Sequence, residues 1–187
     1  MFLLGWKIVN KNIKIPKKCI LIGYPHTTKL YDFIIFNLYF NAIKCGPKDG
    51  LKFLISYKND RILLSYIVKK LGGIFVNKKK NAVSKILDFM NKNNYIRLHI
   101  PPSGSNFKKE SLKSGFYVIG MKTKLPVMAF SLDNSTKFLD RAEPLILTGN
   151  VKKDMLYFQN FYKNKTGVND KNRTPFILPD NFNYIEE

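Results

Sequence analysis

The chain has 187 residues, 45% hydrophobic and 14% aromatic, enough for one domain with a sizeable core and too apolar for a disordered tail. Its 32 basic and 13 acidic residues leave a net charge of +19, which points to an anionic partner: nucleic acid, an anionic membrane surface or a phosphorylated substrate. Two cysteines with no CxxC or Cys/His cluster argue against a structural metal site and suit a reducing compartment.

Residues 1–9 lack the basic start and small-residue cleavage site of a signal peptide. No run reaches the roughly 18 apolar residues that span a bilayer. The expectation is a cytoplasmic protein that associates peripherally with membranes.

In chain order, residues 6–10 predict a short strand, followed by a Lys/Asn-rich turn through Pro16. Residues 19–22 are an apolar run closed by Gly23, and Pro25 cannot continue a central strand. Residues 30–43 predict a helix with only Asn37 and Asn41 polar in its middle. A helix apolar all round is buried in a core or faces lipid. Gly46, Pro47 and Gly50 mark a loop, and 51–56 predicts a strand. Residues 61–71 predict a helix with Ile62, Leu63, Tyr66 and Ile67 on one face, stopped by Gly72-Gly73. A short strand over 74–76 runs into the basic loop 77–80. Residues 82–92 predict a helix with Val83, Ile86, Leu87 and Met90 on its buried stripe. A strand over 95–100 ends in Pro101-Pro102-Ser103-Gly104-Ser105-Asn106. Residues 115–122 predict a helix, 125–132 a strand, 137–139 and 145–147 short strand-like runs, and 151–162 a helix. From 163 on the tail is polar with scattered aromatics.

With no repeat and no linker, residues 1–187 read as one domain. Strands alternating with helices predict an α/β single-domain sandwich, a largely parallel or mixed central sheet flanked by helices. In such sheets sites form in loops at the carboxyl ends of strands, where His26, Lys78 and Ser103 all fall.

His26 sits on the turn after the second strand, and Asp32 lies within the first turn of the next helix, where a carboxylate suits the positive helix end. A His oriented by an Asp is the arrangement of a general base acting on a hydroxyl. On residue type alone both are ordinary loop and helix-start residues; their company decides. His99, the other histidine, reads as a hydrogen-bonded strand-end residue. Ser103 has no GxSxG context, so it is not a nucleophile elbow.

Four blocks in order carry a resemblance. Tyr24-Pro25-His26-Thr27-Thr28-Lys29-Leu30-Tyr31-Asp32-Phe33 is similar to a block reading APHTSNWDF. Leu71-Gly72-Gly73-Ile74-Phe75-Val76-Asn77-Lys78 is similar to LGGIPVDR. Pro101-Pro102-Ser103-Gly104-Ser105-Asn106, with Leu112-Lys113-Ser114-Gly115-Phe116-Tyr117 after it, is similar to APEGTRS…WKSGFYYIA. Leu125-Pro126-Val127 stands for a strand with an early proline. Together they resemble the lysophosphatidic acid acyltransferase family, the glycerophospholipid acyltransferases with an H-x4-D motif, and within it the small bacterial-type members. The resemblance is strongest over residues 5–133.

The resemblance implies transfer of a fatty acyl group from acyl-CoA or acyl carrier protein to a hydroxyl of a lysophospholipid-like acceptor. His26 and Asp32 would be catalytic; Lys78, Ser103, Gly104, Ser105, Asn106 and Lys108 would bind substrate. No metal or bound cofactor is implied, an anionic membrane is the expected surface, and nucleic acid is not an expected partner. The departures fall on the chemistry. Five residues separate His26 from Asp32 where the family has four; Ser103 and Asn106 stand where the family has Glu and Arg; Asn77-Lys78 replaces an Asp-Arg pair. A lipid- or membrane-binding module without catalysis is the alternative. The extra residue either extends the helix, turning Asp32 by about 100° away from His26, or is absorbed in the Thr27-Thr28-Lys29 turn with Thr28 as helix cap. Absorption is expected, with Asp32 in reach of the His26 ring.

Overall fold

The computed structural model describes residues 5–56, 66, 69–76 and 82–184. Among the described residues the elements run β1 (Lys7–Ile8), β2 (Lys18–Gly23), α1 (Tyr31–Ala42), β3 (Leu51–Ser56), β4 (Gly73–Val76), α2 (Ala82–Asn91), β5 (Ile96–Ile100), α3 (Gly115–Thr123), β6 (Val127–Asp133), β7 (Phe138–Arg141) and α4 (Val151–Tyr162). One sheet holds all seven strands in the order β1-β7-β6-β2-β5-β3-β4. β2, β3, β4, β5 and β6 run parallel, and only the β6–β7 pairing is antiparallel. The expected single α/β sandwich with a largely parallel sheet is therefore the observed architecture.

The period-two alternation of the central strands builds both faces of the core. Ile20 and Ile22 of β2 point to one face with Leu98, Ile100, Val127 and Ala129, against Ile86 and Met90 of α2, Phe116 of α3 and Phe158 of α4. Cys19 and Leu21 point to the other, with Phe53, Met128 and Phe130, against Ile35, Phe36, Tyr39 and Phe40 of α1. Right-handed crossovers explain the division. The β2–α1–β3 connection crosses the sheet in one direction, while β4–α2–β5 and β5–α3–β6 return in the other, so α1 and the pair α2/α3 cover opposite faces.

Four expectations need correction or restriction. α1 is not enclosed all round: Ile34 is 42% exposed, and Leu30 just before the helix is 66% exposed. Residues 145–147 form no strand; Leu145 makes one isolated antiparallel bridge to Val127. The polar tail beyond 163 lies against the domain, with Leu178 and Thr174 buried and Phe176 packed on the Tyr24 and Tyr162 rings. The helix expected over 61–71 falls mostly outside the described residues, as do Lys78 and the rest of the basic loop. No helix among the described residues is long and apolar enough to cross a membrane.

Candidate active site

β2 and β5 are adjacent and parallel, with Ile22 opposite Ile100, so the turn holding His26 and the loop starting at Pro101 leave the same edge of the sheet. The two segments touch beyond that edge, where the Lys29 ammonium stands 5.8 Å from the Phe107 ring centroid. β4 pairs parallel to β3 and ends at this same edge; Lys78, which follows it, lies outside the described residues.

His26 Nδ1 lies 3.2 Å from Asp32 Oδ2, with the His26 side chain 22% exposed and that of Asp32 only 1%. The carboxylate is enclosed by donors. Oδ2 accepts the Thr27 and Thr28 backbone N–H groups at 2.7 and 2.9 Å, and Oδ1 accepts the Thr28 hydroxyl at 2.8 Å. Thr28 Oγ1 in turn accepts the Asp32 N–H at 3.0 Å. Burial opposes the charge on Asp32, but hydrogen bonds from His26 and from Thr28, with the His26 charge, outweigh it and hold the carboxyl below its ordinary pKa. An ionised Asp32 can only accept, so the ring must carry its proton on Nδ1, and the lone pair of Nε2 faces away from the carboxylate. The pair can therefore take a proton from a group presented to Nε2.

The extra residue between His26 and Asp32 is absorbed before the helix. α1 begins at Tyr31, which keeps Asp32 in its first turn. The backbone cap is Leu30 rather than Thr28, and Leu30 makes no side-chain cap bond. Thr28 nonetheless performs the exchange of a capping box, at a spacing one residue wider than usual. Because the Thr27 and Thr28 amides are engaged by Asp32, they are not donors for a substrate oxygen.

In the second loop the Ser103 hydroxyl, on a residue only 2% exposed, donates to Ser105 O at 2.8 Å. Gly104 has φ of +59°, and a Cβ there would stand 3.1 Å from Lys113 Cγ, so this position favours glycine on both backbone and packing grounds. Ser105 Oγ accepts the Phe107 N–H at 3.1 Å. Asn106 is half-buried and Lys108 exposed. Ser103, Gly104, Ser105, Asn106 and Lys108 thus share the edge with His26, with the Ser103 hydroxyl already engaged within its own loop.

Sequence reasoning missed the tail's part in this site. Asn169 N–H donates to Thr27 Oγ1 at 3.2 Å, and Asn172 Nδ2 to Thr27 O at 3.4 Å. Tyr24 Oη donates to Thr174 O at 2.6 Å, while Thr174 Oγ1 accepts the Lys109 N–H at 3.0 Å. Residues 166–177 therefore bridge the His26 turn and the Pro101 loop. Such bonds connect residues 65 to 150 apart, which no local pattern records.

His99 is also not what the sequence suggested. It is 6% exposed, ringed by Phe36, Phe40 and Phe53, and its Nε2 has no hydrogen-bond partner. A Cβ on Gly23 would fall 2.3 Å from that nitrogen, so glycine at the end of β2 makes room for the ring. Burial, with a smaller push from His26, drives its pKa from 6.5 to about 3, so it stays neutral at pH 7.

No family model and no curated protein matches the sequence. Among solved structures, the 1-acyl-sn-glycerophosphate (LPA) acyltransferase PlsC from Thermotoga maritima superposes with a TM-score of 0.58. The match covers 86% of this chain and 70% of that one at 18% sequence identity. At that identity the likeness shows the fold, a PlsC-like α/β domain.

Proposed function

We propose that this protein is an O-acyltransferase that moves a fatty acyl group from an acyl thioester, acyl-CoA or acyl carrier protein, to a hydroxyl of a lysophospholipid-like acceptor. The observation that carries the reading is the 3.2 Å contact between His26 Nδ1 and the buried, donor-enclosed Asp32, at the strand-end edge of a fold similar to that acyltransferase. His26 Nε2 takes the acceptor's hydroxyl proton as its oxygen attacks the thioester carbonyl. A C–O bond forms, the C–S bond breaks, and the proton passes to the departing thiolate. Asp32 keeps the ring in the correct tautomer and stabilises its charged form. General-base assistance of this kind is worth roughly a hundred- to ten-thousand-fold. Ser103, Gly104, Ser105 and Asn106 would line the acceptor site, and Lys78 and Lys108 would supply point charges for its phosphate, without the bidentate fork an Arg provides. The mechanism calls for no bound cofactor.

A second reading has its own support. The Ser103 hydroxyl is buried and engaged by Ser105 O, so this position offers neither charge nor a free donor. That favours a lipid- or anionic-membrane-binding module without turnover. Incubation with lysophosphatidic acid and acyl-CoA separates the two. Formation of the diacyl product with release of free thiol supports the transferase; vesicle binding with no product supports the module.

A further inference from the structure

A groove of about 610 Å³ lies at the opposite edge of the sheet, where the parallel strands begin. One wall is the chain leading into β2, residues 8–17; the other is the end of α1. Its cationic lining consists of Lys11, Lys14, Lys17, Arg97 and Arg141, and no carboxylate lines it. The three lysines are exposed at the rim, whereas Arg97 and Arg141 are 6% and 4% exposed.

Buried guanidinium groups are ordinarily matched by carboxylates, because an unmatched buried charge is costly. Among the described residues neither arginine has a carboxylate within ion-pair distance. The nearby acids are engaged elsewhere. Asp140 holds Lys165 at 2.8 Å and accepts from Asn10 at 2.7 Å, and the Asp49 carboxylate accepts the Gly46 N–H. Arg97 instead donates through Nε to Pro16 O and through Nη1 to Asp49 O and Tyr95 Oη. The guanidinium also lies 4.9 Å from the Tyr95 ring centroid, its Nη2 has no hydrogen bond to a described residue, and Arg97 lines the groove. Arg141 donates to Asn10 O and Lys11 O, with only a 3.4 Å contact from Nη1 to Tyr39 Oη. Fastening a loop by its carbonyls requires donors, not two charges. Cys45 senses both: burial raises its thiol pKa, Arg97 pulls it down, the Asp49 charge adds to the rise, and Arg141 pulls down least. The C-terminal end of α1 carries roughly half a negative charge, which offsets part of one cation and not five.

We infer that this groove binds the phosphate or diphosphate group of a soluble phosphorylated small molecule, with Arg97 and Arg141 at its base and the lysines at its rim. Two recessed guanidinium charges below three exposed lysines, and a volume suited to a small ligand, fit that chemistry. Recession of the guanidinium groups favours a soluble molecule over a bilayer headgroup. The site is separate from the His26 edge and does not rest on the acyltransferase reading.

Calorimetric titration with inorganic pyrophosphate at constant ionic strength tests it. Binding is expected with the wild type and with His26→Ala alike. The Lys14→Ala/Lys17→Ala variant, altered only at exposed positions, should bind at least about tenfold more weakly, and so should Arg97→Lys, which keeps charge but loses the Nη2 donor. Absence of binding above a chloride control, undiminished binding by the double lysine variant, or binding only to phosphatidic acid vesicles would overturn the assignment.

Discussion

At the scale of single residues, the two histidines are set apart by what surrounds them. His26 faces a carboxylate and solvent; His99 faces three phenylalanine rings and has an orphaned Nε2. The His99 environment has a consequence for stability. Its folded pKa, about 3, lies below the 6.5 of an unhindered histidine. As pH falls through 6.5 the unfolded chain takes up a proton that the folded one refuses, so stability is present above 6.5 and drains away down to about 3. Between pH 6.5 and 5 this group alone should cost about 2 kcal/mol. Urea unfolding of wild type and His99→Leu across that range should show the wild type losing that much more, since leucine neither titrates nor needs a partner. Parallel pH curves for the two would mean the ring is hydrated or paired. The His26–Asp32 contact was legible in the sequence, because a threonine pair before a helix can absorb one residue. The particular cap was not: Leu30 takes the backbone position while Thr28 supplies the hydrogen bonds, a division fixed only by the path of the turn.

At the scale of elements, strands and helices were readable where burial leaves a continuous apolar run, as in β2, or a period, as in α2. They were misread where tertiary contacts decide. Residues 145–147 are an apolar run like a short strand's but find one bridge. The tail beyond 163 reads as polar with scattered aromatics, yet it places Thr174 and Asn169 across the two site loops. Close approach at Gly167 shows how tightly it is fitted, since a Cβ there would stand 2.4 Å from Thr27 Cγ2. Gly167→Ala should therefore destabilise the fold by about 1–3 kcal/mol and lower turnover through the His26 turn. Adding Thr27→Ala removes the obstructing atoms, so the double variant should lose less than the sum of the singles. Chemical denaturation and turnover measured on all three variants check this; strict additivity would show that the strap does not bear on the turn.

At the scale of the molecule, part of the +19 charge lies beside the His26 edge. Exposed Leu30, Ile34 and Phe107 stand with Lys29 and Lys108 near that edge, apolar groups framed by cations. We expect this face to dock on anionic bilayers, with each lysine contributing on the order of 1 kcal/mol. Sedimentation with phosphatidylglycerol vesicles should show binding that weakens with salt and falls roughly tenfold in Leu30→Asp/Phe107→Ser. Binding unaffected by that change would place the docking face elsewhere. The sequence exposed the charge but not its arrangement, because the loops that gather it lie far apart in the chain. The central claim is that His26 and Asp32 act as one proton-transfer unit. Its most direct test is thiol release from acyl-CoA with lysophosphatidic acid, compared across wild type, His26→Ala, Asp32→Asn and the double variant. A working unit predicts that His26→Ala lowers turnover by roughly a hundredfold or more and that adding Asp32→Asn costs little further. Wild-type turnover in folded His26→Ala would contradict it.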